Sequence, residues 1–298
     1  MEGAMSEASG KTRLENTPFF KAEGPVLIFG GPYSNLQATK AVLSEASRLG
    51  IPPCHIVCTG DLVAYCGSPV ETVALIREAG IRAVMGNCDE QLALDADDCG
   101  CGFSPGSACD RLSAAWFTFA RQKIEALDRE WLTQLPRRID IGIGGRRLAI
   151  VHGTVSEINR FVFASSDMTL KRAEIALSGC DGIVAGHSGL PFTQVIGDKL
   201  WHNAGAIGMP ANDGTCRTWY SILMPGKGGL RIEVRPLSYD YRAAQRAMIE
   251  AGLPPDYRDA LETGLWPSCD VLLEAELEQR GRPLRPDTVE WLSEESVA

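Results

Sequence analysis

Short apolar runs that each stop at a polar residue recur along this chain. VLIF ends at Gly30-Gly31, HIVC at Thr59-Gly60-Asp61, and the Ala83-Val84-Met85 run at Gly86-Asn87. Further on, RRLAIV stops at His152 and GIVA at Gly186-His187. Apolar runs of this length, bounded by Gly, read as buried strands. Helical spacing separates the first three. Asn35 suits the cap of a helix reaching about Arg48, with Leu36, Thr39, Val42 and Leu43 on one side. Pro69 suits the first helical position of a segment from Val70 to Ala79 that turns Val73, Leu75 and Ile76 inward. Strand, helix, strand, helix, strand is the order of a parallel sheet with crossover helices.

The pattern then changes. Asp95–Asp110, rich in Gly, Asp and Cys, predicts a loop. A helix follows over Arg111–Leu127, anchored by Trp116, Phe117 and Phe119, with another helical turn at Trp131–Leu135. Arg138–Ile143 and Arg147–Val151 flank Gly144-Gly145 as a hairpin, Ser166–Ser178 reads as helix and Gly182–Ala185 as a strand. From Thr193 the segments TQVIG, KLWHNAG, RTWYSILM and LRIEVRPL alternate and are separated by turns, which predicts a second, largely antiparallel sheet. Tyr239–Ala251, Tyr257–Thr263 and Cys269–Gln279 read as helices. The expected fold is α/β, a four-layer αββα sandwich of two mixed β-sheets flanked by helices. Residues 1–24 read as a polar mobile tail, 25–253 as the main domain and 254–298 as a C-terminal helical extension.

Composition narrows the function. The 298 residues are 45% hydrophobic and 22% charged, ordinary for a globular chain. A net charge of −9 argues against nucleic acid as a partner, because such proteins carry a basic footprint. It does not argue against a phosphorylated small molecule, since a bound metal supplies local positive charge. No apolar run approaches the roughly 20 residues of a membrane span, and the N-terminus lacks the apolar centre of a signal peptide. Ten scattered cysteines fit reduced thiols in a cytoplasmic protein. Nothing here fixes the oligomeric state, and a homo-oligomer stays open.

Carboxylate, amide and imidazole groups delivered to several strand ends form a donor set for a transition metal. The ordered series Gly60-Asp61, Gly86-Asn87-Cys88-Asp89, His152-Gly153 and Gly186-His187 resembles the calcineurin-like metallophosphoesterases, in particular the small bacterial phosphodiesterase branch. The likeness runs from about Val26 to Gly252 and includes Asn203–Gly214. It implies a two-metal site in which a hydroxide attacks phosphorus while both metals stabilise developing charge. Carried over, Asp61, Asn87, His152 and His187 would hold the second metal, with Asp61, Cys88 and Asp89 as catalytic candidates. The ligands of the first metal are replaced by Gly31, Tyr33 and Gly189. One manganese, iron or zinc ion per chain is therefore expected. The protein would be a phosphoester hydrolase of weak or specialised activity, or else a non-catalytic sensor of a metal or a phosphometabolite.

Several residues keep two readings. Cys88 stands where the family usually has histidine, and a thiol titrating near ~8.5 is a poor proton donor. Tyr33 could bind ferric iron as phenolate or simply pack, while Tyr65 reads as structural. Cys99, Cys101 and Cys109 could form a thiolate zinc site or a redox pair, or belong to a loop of small residues folded over the site. Asp95, Asp97 and Asp98 offer oxygen ligands or are merely solvated, and Arg160 is either an anion contact or a surface ion-pair partner. His55 and His202 would have to leave their strands to serve as ligands.

Overall fold

Alternation within the strands decides which layer each side chain enters. In β2 (Val26–Phe29), Val26 and Ile28 point into one apolar cluster, and Leu27 and Phe29 into another. A four-residue strand buried on both faces belongs in the middle of a layered structure. The computed structural model, described here for residues 17–226 and 228–292, has that arrangement.

Two six-stranded mixed sheets form the centre. One has the order β1 (Phe19–Ala22), β5 (Arg138–Ile143), β6 (Arg146–Val151), β7 (Gly182–Ala185), β9 (Lys199–Asn203), β8 (Phe192–Ile196). The other runs β12 (Asp287–Leu292), β11 (Gly229–Leu237), β10 (Thr218–Gly226), β2, β3 (Ile56–Cys58), β4 (Arg82–Ala83). Between them lie Val26, Ile28, Val57, Ile141, Ile150, Val184, Leu223 and Trp291. On the outer face of the second sheet pack α1 (Leu36–Arg48), α2 (Pro69–Glu78), α4 (Ala108–Lys123) and α7 (Tyr241–Glu250). The outer face of the first sheet is covered by α6 (Met168–Ser178), through Ile175. The α/β sandwich of two mixed sheets flanked by helices is therefore the fold of this chain.

Helix ends follow local chemistry. The Asn35 side chain accepts from Ala38 N at the start of α1, and Ser68 precedes Pro69 at the start of α2. The Cys-rich loop ends at Ser107, whose hydroxyl accepts from Asp110 N, so α4 begins three residues earlier than periodicity suggests. It also stops at Lys123, and α5 (Ala126–Thr133) is a separate helix.

Four expectations are corrected. The segments after Thr193 do not make a sheet of their own: β8 and β9 extend the first sheet, while β10 and β11 pair with β2. Alternation reports which faces are buried but not the neighbour, and β7 and β2 each had an edge left to fill. Phe19–Ala22, assigned to a mobile tail, is a strand parallel to β5; residues 1–16 lie outside the described residues. The extension after residue 253 is helical only in part. After α8 (Pro255–Thr263) and α9 (Glu274–Glu278), β12 closes the edge of the second sheet, with Trp291 buried between the sheets. Finally, β4 is shorter than the Ala83–Met85 run. Val84 N still donates to Cys58 O, but Met85 N turns to Pro136 O.

Candidate metal centre

The carboxyl ends of β3 and β4 in one sheet meet those of β6 and β7 in the other. Asp61 follows β3, Asn87 opens the short helix α3 (Asn87–Ala93) after β4, His152 follows β6 and His187 follows β7. Gly60 permits the close approach. A Cβ there would lie 2.7 Å from Gly86 N and 2.9 Å from His152 Nδ1, and its φ is +93°. Strain gathers at the same place. Tyr33, Asp61, Tyr65 and His187 all hold positive φ, which non-glycine residues adopt at a cost and keep where surrounding contacts enforce it.

Hydrogen bonds behind the site aim its ligand atoms. Asp89 Oδ2 accepts from Asp61 N and Gly86 N at 2.8 and 2.9 Å, and Oδ1 accepts from Leu62 N at 2.9 Å. One carboxylate thus ties the ends of β3 and β4 together. Burial pushes the Asp89 carboxyl up, to about 7, with the Asp61 charge adding to the rise and the backbone donors opposing it. Cys88 N donates to Asp61 Oδ1 at 3.1 Å. Asn87 Nδ2 donates to Cys99 O at 2.9 Å, which leaves Oδ1 facing inward. Asn203, at the end of β9, holds the His187 loop by donating to Gly186 O at 2.6 Å and Ser188 Oγ at 2.9 Å.

His152 is the centre of the arrangement. Its Nδ1 lies 2.7 Å from Thr59 O, a carbonyl that only accepts, so Nδ1 carries the proton and Nε2 presents a lone pair. Around that lone pair lie Asp61 Oδ2 at 3.2 Å, Asn87 Oδ1 at 3.1 Å and His187 Nδ1 at 3.1 Å. With no ion bound, a proton shared among these atoms, on His152 Nε2 or His187 Nδ1, cannot serve both Asp61 Oδ2 and Asn87 Oδ1, whereas a cation satisfies all four ligand atoms at once. Asp61, His152 and His187 offer ligand atoms within 4.8 Å of one another, so the set fits a metal ion.

The electrostatics reflect the same contacts. Burial acts to raise the Asp61 pKa, but His152 and His187 outweigh it and leave the carboxyl low. For His152 burial acts downward, and the Asp61 contact overrides it to give a net rise. Burial, helped by His152, pushes His187 down to about 3, so its imidazole is neutral and free to ligate.

The other singled-out residues fall as follows. The Cys88 thiol is buried, pushed up by burial and by the Asp61 and Asp89 charges, and lies 3.8 Å from Cys101 Sγ. Cys99 and Cys101 are joined in a disulfide, a correction to the expectation of reduced thiols throughout, and the bond removes both as thiolate ligands. Arg121 binds Asp95 and Asp97, so those carboxylates sit in surface ion pairs. Arg160 pairs with Glu157 at 3.2 Å. His55 meets Pro25 O, and His202 stays inside the first sheet beside Thr193.

Two positions near the ligands are occupied by rings. Tyr33 folds its ring over Gly31, so that a Cβ on Gly31 would lie 2.3 Å from Tyr33 Cζ and overlap the ring. Trp266, from the chain beyond α8, covers Gly189, whose Cβ would lie 3.3 Å from the indole. Trp266 is fixed by donating Nε1–H to Pro210 O at 2.7 Å. With Tyr65, Phe103, Phe161 and Tyr257 these rings wall a cavity of ≈ 70 Å³ that has Asp61 and His187 on its surface. Sequence reasoning missed Thr59, because a backbone carbonyl carries no side-chain signature. It missed Phe161, Tyr257 and Trp266 because only tertiary packing brings them to the site.

A sequence profile for the calcineurin-like phosphoesterase superfamily domain matches residues 33–222. An uncharacterized protein of Methanocaldococcus jannaschii is 25% identical over 244 residues, covering 77% of this chain and 93% of that protein. In fold, the chain is similar to a metallophosphoesterase from Sphaerobacter thermophilus. The TM-score is 0.65 at 22% identity, over 82% of this chain and 100% of the other. A hypothetical protein of Pyrococcus horikoshii gives a TM-score of 0.67 at 16% identity, over 81% and 99%.

Proposed function

This chain belongs to the calcineurin-like phosphoesterase superfamily, and from that premise we propose that it is a phosphoester hydrolase working with one metal ion held by Asp61, Asn87, His152 and His187. The observation that carries the reading is the convergence of Asp61 Oδ2, Asn87 Oδ1 and His187 Nδ1 on the lone pair of His152 Nε2. A bound ion supplies Lewis acidity to the phosphoryl oxygens and makes water more acidic. The chain contributes the rest. Thr59 O sets the His152 tautomer, Asp89 holds the backbone that carries Asp61, and Asn203 holds the loop that carries His187. Cys88 acts through its backbone N–H on Asp61, and its buried neutral thiol is a poor proton donor. With Tyr33 and Trp266 packed against Gly31 and Gly189, one complete ligand set remains among the described residues, and activity is weak or specialised. The substrate is a phosphorylated small molecule.

Metal content by mass spectrometry of untagged protein, paired with turnover of bis(p-nitrophenyl) phosphate, tests this. About one ion per chain, lost in His152→Ala together with turnover, is the expected result. One ion without turnover on any phosphoester would instead make the protein a sensor. Failure to take up manganese, iron or zinc would overturn the site itself.

A further inference from the structure

The cavity over the metal centre has a composition that selects its occupant. Asp61 and His187 lie on its surface, and its walls include the rings of Tyr33, Phe161, Tyr257 and Trp266. These rings are packed against neighbours. Phe161 lies over His187 at 4.1 Å between centroids, Tyr257 and Tyr33 pack on Tyr65 at 4.4 and 4.8 Å, and Trp266 is tied to Pro210 O. Among the described residues that line the cavity there is no lysine or arginine. Charge beyond what a single metal centre neutralises would stay unpaired there, which disfavours dianionic monoesters and polyphosphates. A volume of ≈ 70 Å³ is several times the ~15 Å³ that one water needs and well below the roughly 300 Å³ of drug-sized pockets. That leaves room for one planar ring beside the metal centre.

We propose that the ring-walled cavity is a subsite for a single aromatic ring carried by a monoanionic phosphodiester, with Trp266 and Tyr257 as the residues that determine specificity. The leaving group points the same way. Apart from the ligands Asp61 and His187, the protic side chains on the walls are phenols, a thiol, hydroxyls and the Trp266 indole, none a stronger acid than an ordinary phenol or thiol at ~8.5–10. The new bond joins the oxygen of water to phosphorus, and the bond that breaks joins phosphorus to the aryl oxygen. The aryloxide leaves with the electron pair, and protons are exchanged with solvent. A phenolate departs unprotonated far more readily than an alkoxide. The leaving-group half of this inference rests on the hydrolase reading, and the binding half rests on the cavity alone.

Calorimetric titration of the manganese-loaded full chain with methyl phenylphosphonate and with methyl ethylphosphonate separates the two halves. The aryl probe is expected to bind at least tenfold more tightly. Trp266→Leu and Tyr257→Leu, made separately so that one misfolded variant does not remove the test, should each reduce that ratio at least threefold with metal content unchanged. Equal affinity for the two probes, or a ratio untouched by both substitutions, overturns the subsite. Turnover of methyl p-nitrophenyl phosphate is measured on the same samples. Turnover without ring preference leaves the hydrolase and removes the subsite, whereas ring preference without turnover of any ester leaves the subsite and removes the hydrolase.

Discussion

A histidine whose Nδ1 proton is committed to a backbone carbonyl has one lone pair left, and in His152 that lone pair faces three further ligand atoms. Replacing Asp61 or His152 by alanine is expected to remove the metal and at least 100-fold of any metal-dependent turnover, read by metal analysis and steady-state kinetics on the same samples. Gly31 and Tyr33 make a second residue-scale case. Gly31→Ala should cost about 2 kcal/mol or more in urea unfolding, from a side chain forced into the Tyr33 ring at φ +40°. Adding Tyr33→Ala should recover part of that loss, because removing the ring relieves the overlap though not the backbone strain. Strict additivity of the two substitutions would contradict the packing.

At the scale of elements, the strand-to-polar-residue rhythm made most of the site legible. Each of Asp61, Asn87, His152 and His187 follows a strand that could be read from three or four apolar residues, and the parallel order put those ends on one edge. The sheet to which β8 to β11 belong was not legible, because the alternation of RTWYSILM is satisfied by either neighbour and only strand pairing decides. Nor was α3, whose seven residues are too few to show a period. The loop between α3 and α4 illustrates a dependence that no spacing reveals: Cys99 O, next to the disulfide with Cys101, orients the Asn87 amide. Cys101→Ser should therefore weaken metal binding roughly 10-fold while leaving the ligands in place, measured by competition with a chelator. In the first sheet, burial pushes His202 down to about 4, and its Nε2 has no partner. The folded state therefore binds fewer protons at this site than the unfolded chain, whose histidine titrates near ~6.5. The stability it contributes is complete above that value and lost as pH falls toward 4, by an amount on the order of 3 kcal/mol. His202→Gln should show a shallower decline in urea midpoint between pH 7 and 4.5 than the parent.

The whole molecule is closed by its last described strand. Trp291 in β12 is buried between the sheets, donates Nε1–H to Asp198 O at 3.2 Å and carries the Arg146 guanidinium over its ring. Trp291→Ala should cost about 3–5 kcal/mol, yet leave metal content unchanged in the protein that remains folded, because the centre lies at the strand ends of β3, β4, β6 and β7. The sequence reads as a helical extension after residue 253, but that stretch both completes a sheet and supplies Tyr257 and Trp266 to the cavity. The proposed metal ligands all come from residues 61–187, whereas these two rings come from beyond residue 253. On the proposed function and subsite, the chemistry and the choice of what it acts on are written in different parts of one polypeptide. A terminal segment can diverge, or be exchanged between two such proteins, and retarget the reaction without touching the machinery that performs it.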